Sequence, residues 1–521
     1  MPSGDLDTSV KSTRPGSRRA GHPRRDASAL YQLPWRQLRN PFRPYELASA
    51  DEIEAIHGAS LEILERIGIR FTLPAAREIF RKAGALVDEE SMRVRIGADI
   101  VTQALKTVPD SVTLESYNPA RTVTLGRDKL VFATVLGPPY CHDLERGRRQ
   151  GTLADYGDFI RLAQVFNIIH LIGGSPVEPG DIAVPVRHLD AVEVMLNLSD
   201  KIPYVFCQSQ RRILDAFEMI AMGRGISMDE LAQSPSTYSI INTNSPLQYD
   251  LPMTEGVIEM ARFGQPTLIT PFTLAGATTP ITLAGAIAQQ NAEILAGVTL
   301  AQLVRPGAPI LYGAATSNVD MRTGSPGYGS PDSVRATYLS GQLCRKYGMP
   351  MRSSNFTGST SADYQAAVES QLAASAAISA GANLLMHAAG WIEGGLCASF
   401  EKFVLDVEML QMMAVWLEPL RIDKDTLALD VIEEVGPGGH FFGTAQTIEK
   451  YETAFYRPLI FNTRSHGQWV EDGKLDATAR AHQVYKQALK EYRPPALDPA
   501  RREAIHAFAE RRKAEGGAPL T

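Results

Sequence analysis

Two hydrophobic rhythms run along the chain. Between residues 50 and 106 the pattern is helical, with Ile53, Ile56, Ala59, Ile63, Leu64 and Ile67 recurring along one face. Ser49-Ala50-Asp51-Glu52 has the Ser-x-x-Glu form of a capping box, in which each side chain satisfies a backbone N–H of the first turn. A second helix is predicted over 75–83. Residues 110–132 alternate, with Val112, Leu114, Val123, Leu125 and Val131 apolar, and predict short strands or a hairpin. From about residue 131 the rhythm changes. Short runs rich in β-branched and aromatic residues begin at Val131, Ile168, Ile202, Thr237, Pro266, Pro309, Pro350 and Asn383. A helical pattern follows each, at 156–166, 187–198, 211–222, 253–263, 281–304, 332–347, 363–379 and 400–417.

Alternating units of this kind predict an α/β fold, and their number and length suit a (β/α)₈ TIM barrel. The expected organisation is a basic, disordered tail over 1–30, a helical and β lead-in over 31–130, a barrel over 131–420 and a helical extension over 421–521. The runs are apolar along most of their length, as strands covered on both faces are. An open doubly wound sheet is the alternative. No GxGxxG stands at any strand–helix turn, which weakens its dinucleotide-binding form.

Composition narrows the function. Of the 521 residues 44% are hydrophobic and 21% charged, ordinary for a globular protein, and the net charge is −6. Outside the tail no cluster of basic residues offers a nucleic-acid footprint. No apolar stretch reaches the length of a membrane span, and no apolar segment follows the arginine pairs of the tail. A cytoplasmic location is the expectation. The four cysteines, Cys141, Cys207, Cys344 and Cys397, are widely spaced and predict reduced, buried thiols.

In a barrel the chemistry belongs at the carboxyl ends of the strands. Those ends present Tyr140, His142, Gln208, Asn242, Asn244, Phe272, Asn318, Asn355, His387, Trp391 and Glu393, a rim rich in amides and aromatics and poor in charge. There is no lysine between Lys201 and Lys346, so a Schiff-base mechanism lacks its nucleophile. His142, His170 and His387 are isolated and build no metal site. Tyr140, Phe272, Phe356 and Trp391 are the aromatics nearest the strand ends, and aromatic faces hold quaternary ammonium ions.

The run from Ala382 through His387 and Trp391 to Lys402 resembles the signature segment of the trimethylamine methyltransferase family. Asn318–Pro326, Asp363–Ser370 and Gly436–Gly443 are similar to other stretches of that family, and the resemblance covers about 35–490. It implies a barrel enzyme that takes a methyl group from a methylated amine and passes it to a corrinoid (cobalamin) on a separate binding protein, with no tightly bound cofactor. Some members use pyrrolysine. Here Thr357–Ser361 is Thr-Gly-Ser-Thr-Ser at the corresponding place, so the chain is similar to the members without it, of the glycine betaine methyltransferase kind. A further departure is Ala445-Gln446-Thr447, where a histidine is expected before the threonine.

On this reading His387, Glu393 and Asn244 are the expected catalytic residues. Trp391, Phe272, Tyr140, Gln208, Asn242 and Glu401 bind the substrate, and Gly390, Gly394 and Gly395 let the corrin ring approach. No metal is bound by the chain, and it could form a homo-oligomer. The competing functions are a zinc-thiolate methyltransferase using Cys207, Cys397 and His387, and a non-catalytic barrel that binds a betaine.

Overall fold

The computed structural model describes residues 30–519. Apart from Leu30, the expected tail lies outside them. The fold is mixed α/β with helices predominant. At its centre lie six short parallel strands: β1 (Lys129–Phe132), β2 (Ser239–Ile241), β3 (Thr267–Ile269), β4 (Ile310–Gly313), β5 (Met351–Ser354) and β6 (Leu384–Met386). They pair in the order β1-β6-β5-β4-β3-β2, and Leu38–Arg39 adds antiparallel to the start of β1. Nearly every residue of the six is buried, which explains why the runs do not alternate.

Two runs expected as strands, at 168 and 202, hold no ladder. They touch their neighbours through single parallel bridges, Ala133 with Leu171, Leu171 with Ile202, and Tyr204 with Tyr238. The cause is local. Pro203 has no N–H to donate, and the Gly173-Gly174 pair turns the chain away from the sheet, Gly174 at φ 132°.

All eight helices expected after the runs are present. They include α3 (Leu283–Val304) and α4 (Phe400–Trp416), numbered after α1 (Ala50–Glu62) and α2 (Ala98–Leu105), two of the N-terminal helices; the helix expected over 75–83 is also present, as Pro74–Lys82. Thr152, Asp250, Ser330, Asp363 and Ser399 cap five of the eight by accepting from a first-turn backbone N–H. Each cap is worth about 1 kcal/mol and fixes where the loop from the preceding strand ends. α3 has no polar face and is buried almost throughout, because α1 and α2 cover its outer side.

The capping box at Ser49 is formed and the hairpin Ser111–Leu114 with Val123–Gly126 is present. The helical reading of 84–97 is corrected to a hairpin, Leu86–Asp88 with Arg93–Arg95. Asp88 turns the chain there by accepting the Glu90 and Ser91 N–H groups. Beyond α4 come four short helices, α5 (Lys424–Leu427), α6 (Leu429–Val435), α7 (Ala445–Lys450) and α8 (His466–Glu471). The longer α9 (Ala477–Glu491) packs on α4, and α10 (Pro499–Ala514) packs on the helices Arg187–Leu198 and Gln210–Arg224. Among the described residues no helix is long and apolar enough to cross a membrane.

The sequence pattern did not reveal a small sheet at the carboxyl ends of β1 and β6. Its order is Trp391–Ile392, Cys397–Ser399, Tyr140–Asp143, Gly147–Gln150. It fixes Trp391 close to the end of β6.

Candidate active site

His387 is the first residue after β6 and sits in the left-handed region at φ 54°. For a non-glycine residue this strain costs roughly 1–3 kcal/mol, so the surroundings must impose it. They do so from both sides. The Ala388 N–H donates to Ala133 O at 2.8 Å, and Asn355 Nδ2 donates to Ala388 O at 3.1 Å. The Gly390 N–H donates to Asp406 Oδ2 of α4 at 2.9 Å. Asp406 is ion-paired with Lys402, whose Nζ also donates to Ser370 Oγ at 2.9 Å. The buried Lys402–Asp406 pair thus pins the turn that carries His387 and Trp391.

The turn projects a set of rings into one space. The His387 and Trp391 centroids are 4.4 Å apart, edge to face. Phe356 lies 5.2 Å from each. Tyr328 lies 4.6 Å from Phe356 and 6.1 Å from Trp391, and Phe272 stands beyond it at 6.4 Å. Trp391 Nε1 donates to Thr357 O at 3.1 Å, which satisfies the one polar atom of the indole. Gly395 makes room for this indole: at φ 99° a Cβ there would stand 2.5 Å from the Trp391 ring.

Arg352, in the middle of β5, borders the rings. Its side chain is fully buried. Nη2 lies 3.5 Å from His387 Nδ1, and Nη1 donates to Ala314 O at 3.4 Å. Nε is buried and has no hydrogen-bond partner. Among the described residues no carboxylate is ion-paired with Arg352. Burial pulls its pKa down from the usual guanidinium range, while the neighbouring Tyr204, Tyr238 and Tyr328 act in the opposite direction. A guanidinium only donates, so His387 Nδ1, which also meets Ser354 Oγ at 3.0 Å, is an acceptor and the ring proton sits on Nε2. Burial and then Arg352 push the His387 pKa well below the ordinary range, so the ring is neutral at pH 7.

A buried, unpaired charge costs several kcal/mol. An aromatic box holds a cation. Side by side, the two have the chemistry to suit a ligand that carries a positive group at one end and an anion at the other.

The other expected residues fall into two groups. Phe272 and Gly394 lie beside Tyr328, at the edge of the box. Tyr140 lies apart from the box: Arg148 stands 3.7 Å over its ring and pairs with Glu393 at 2.9 Å, so one face of Tyr140 already holds a cation of the chain itself. Glu393 is held in that pair. Asn244 spends its side chain on Asp250 within a turn, and Asn242 is exposed. Gln208 accepts from Arg212 Nη1 at 2.6 Å. Glu401 faces the outer sheet, accepting from the Leu144 N–H at 2.9 Å and meeting His482 Nδ1 at 2.8 Å. The space over Gly395 belongs to Trp391, and Gly390 faces Phe403 and Val135. A side chain at either position would meet packed neighbours. His170 is structural, accepting from the Phe132 N–H and meeting Arg36 O, with burial pulling it down to about 4.

The zinc-thiolate alternative finds no ligand set. Burial pushes Cys207 and Cys397 up to about 12, and among the described residues no His, Cys, Asp and Glu side chains gather into a metal-holding group.

The sequence reading passed over Arg352, Tyr204, Tyr238 and Tyr328. The signal for Arg352 was present: it is a lone charge inside a run destined for a parallel sheet. Tyr328 lies in a long loop after β4, and nothing in the pattern ties it to the box.

A model described as the trimethylamine methyltransferase (MTTB) family matches residues 14–517. A glycine betaine methyltransferase of Desulfitobacterium hafniense strain Y51 is 37% identical over 474 residues, covering 91% of this chain and 98% of the relative. A trimethylamine methyltransferase MttB of D. hafniense strain DSM 10664 / DCB-2 is 29% identical over 471 residues, covering 90% and 94%. Among solved structures, the Methanosarcina barkeri monomethylamine methyltransferase MtmB aligns with a TM-score of 0.47 at 11% identity, over 87% of this chain and 89% of that one.

Proposed function

This chain belongs to the trimethylamine methyltransferase family, and we propose that it demethylates a carboxylated quaternary ammonium compound, of the glycine betaine kind, and passes the methyl group to the Co(I) of a corrinoid on a separate protein. The observation that carries this is Arg352, buried and unpaired against the aromatic box. Trimethylamine has no anion to offer it. A betaine supplies a carboxylate about one methylene away from its cation and so answers both features at once.

Trp391, Phe356, Tyr328 and Phe272 form the walls for the trimethylammonium group, each face contributing about 0.5–2 kcal/mol. Arg352 takes the carboxylate, and the neutral His387 adds its Nε2–H as a second donor. Asp406 and Lys402 hold the turn from which His387 and Trp391 project. We also read the parallel strands as a (β/α)₈ barrel. The single bridges at Leu171, Ile202 and Tyr204 support this, because they continue the parallel order from β1 to β2.

A Co(I) corrinoid supplies a nucleophile strong enough to take the methyl group unaided. The nitrogen keeps the electron pair of the broken C–N bond and leaves as a neutral tertiary amine. The chain therefore has no proton to give, and a site without a poised acid is sufficient. Its contribution is to hold one N-methyl outward and to exclude water from the cation. Phe272, Ile281, Met321 and Leu396 are exposed on the loops that follow the strands, an apolar rim suited to a flat macrocycle.

The test is to incubate the purified chain with Co(I) cobalamin and a panel of amines, following methylcobalamin by its absorbance. Glycine betaine or a close N-trimethyl amino acid is expected to be turned over and trimethylamine is not. Turnover of trimethylamine at an equal rate overturns the assignment of Arg352. Absence of transfer from every quaternary amine overturns the reaction.

A further inference from the structure

The loop after β5 touches the aromatic box from outside. The Thr357 carbonyl accepts from Trp391 Nε1 at 3.1 Å and from the Gly394 N–H at 3.2 Å, and the Ser359 carbonyl accepts from the Glu393 N–H at 2.7 Å. The indole is thus only as well placed as the loop that carries these carbonyls. Residues 357–359 belong to no helix or strand, yet Thr357 and Ser359 are buried. Their N–H groups and that of Gly358 need acceptors from elsewhere.

Glu369, half-buried on the helix Tyr364–Ser379, supplies an acceptor. Its Oε2 accepts from the Thr357 hydroxyl, from the Gly358 N–H at 2.9 Å and from the Ser359 N–H at 3.3 Å. Its Oε1 accepts from Gln365 Nε2 at 2.8 Å. Successive backbone N–H groups converging on one oxygen make a concavity for an anion. Here a side chain of the chain itself fills it. Among the described residues no Lys, Arg or His is ion-paired with Glu369, so these donors are what answer its charge. Hydrogen bonds to an ionised acceptor are roughly twice as strong as neutral ones, which suits a loop that has no ladder of its own.

The same turn of helix reaches the rest of the site. Gly329, next to Tyr328, lies so close that a Cβ there would stand 2.4 Å from Glu369 Cβ. Ser370 accepts from Lys402 Nζ at 2.9 Å, and Lys402 is the partner of Asp406, which pins the His387 turn.

We propose that Glu369 is the positioning residue of the aromatic box. Its carboxylate, seated on the Thr357–Ser359 N–H groups, fixes the carbonyl to which the Trp391 indole is tied, so the wall stands in place before a quaternary ammonium ligand arrives. The inference rests on the reading of the box as the cation site.

The experiment is calorimetric titration of glycine betaine into the parent, Glu369→Ala, Glu369→Gln, Trp391→Leu and the double variant Glu369→Ala/Trp391→Leu. Alanine keeps the Cβ that packs on Gly329 and removes only the carboxylate. Glu369→Ala is expected to weaken binding by no more than Trp391→Leu does, about 2- to 30-fold. Glu369→Gln keeps an acceptor oxygen for the loop and is expected to recover most of the affinity. The double variant is expected to bind as Trp391→Leu alone, because Glu369 acts through the indole, whereas a general structural defect would multiply the two losses. Parental affinity in Glu369→Ala overturns the proposal. So do losses that multiply, or a glutamine variant no tighter than the alanine one. Parental affinity in Trp391→Leu instead overturns the box reading itself, and this proposal with it.

Discussion

Replacing Arg352 with methionine separates the two halves of the proposed receptor. Methionine fills much the same volume without the charge. In the free protein the guanidinium is buried with Nε unpartnered and no carboxylate paired to it. Replacing buried charge by a packed apolar side chain is commonly neutral or stabilising by about 1–4 kcal/mol, so the free Arg352→Met protein is expected to melt no lower than the parent. Binding changes in the opposite direction. Removing one partner of a desolvated charge pair costs about 2–5 kcal/mol, roughly 30-fold to several-thousand-fold in kcat/KM. That loss is expected for glycine betaine. Tetramethylammonium, which has no carboxylate, is expected to react equally slowly with both proteins. The assay is methylcobalamin formation with the two substrates, accompanied by thermal unfolding of the free proteins. Equal losses on both substrates, or a large fall in melting temperature, would show that Arg352 is a structural residue and refute the reasoning.

Trp391→Leu removes one wall of the box and is expected to raise KM by about 2- to 30-fold, the equivalent of one cation–π contact; an unchanged KM would remove Trp391 from the site. Gly395→Ala places a methyl 2.5 Å from the Trp391 ring at φ 99°, and is expected to cost about 2 kcal/mol of stability together with activity. Gly394→Ala, whose nearest neighbour is Tyr328 at 3.7 Å, should cost less, and a reversed order in denaturant midpoints contradicts the packing. Stability is expected to fall with acidification below about pH 6.5. His170, at about 4 when folded, and His387, also depressed, bind protons more readily in the unfolded chain. Their contribution is therefore complete above the unfolded value and is lost as pH drops, at about 1.4 kcal/mol per pH unit for each. A His170→Gln variant should show a shallower slope between pH 6.5 and 4, and an unaltered slope would show that His170 is not the group responsible.

Much of the fold was legible because helices and buried parallel strands leave opposite signatures in the sequence. The runs at Val131, Thr237, Pro266, Pro309, Pro350 and Asn383 all became parallel strands, and the box at Ser49 began a helix where expected. What failed did so for local reasons. Pro203 denies its run a ladder that its apolar character suggests. Asp88 makes a turn inside a helical pattern. The outer sheet depends on pairing Tyr140–Asp143 with Cys397–Ser399, residues far apart in sequence, which no local periodicity encodes. Of the proposed site, strand ends and aromatics pointed to His387, Trp391 and Phe272, which the structure brings together around Tyr328 and Phe356. The contact of Arg148 with the Tyr140 ring was not legible, because Arg148 comes from the next strand of a hairpin that no local periodicity encodes. Arg352 is not visible at a strand end because it stands in the middle of its run.

Equilibrium binding tests the central claim most directly, since it needs neither corrinoid nor partner. Calorimetric titrations compare glycine betaine with choline, which lacks the carboxylate, and with 3,3-dimethylbutanoate, in which a neutral carbon replaces the charged nitrogen. The account predicts that glycine betaine binds at least about tenfold more tightly than either, because each analogue leaves one of two buried features unanswered. Choline binding as tightly as glycine betaine would contradict it.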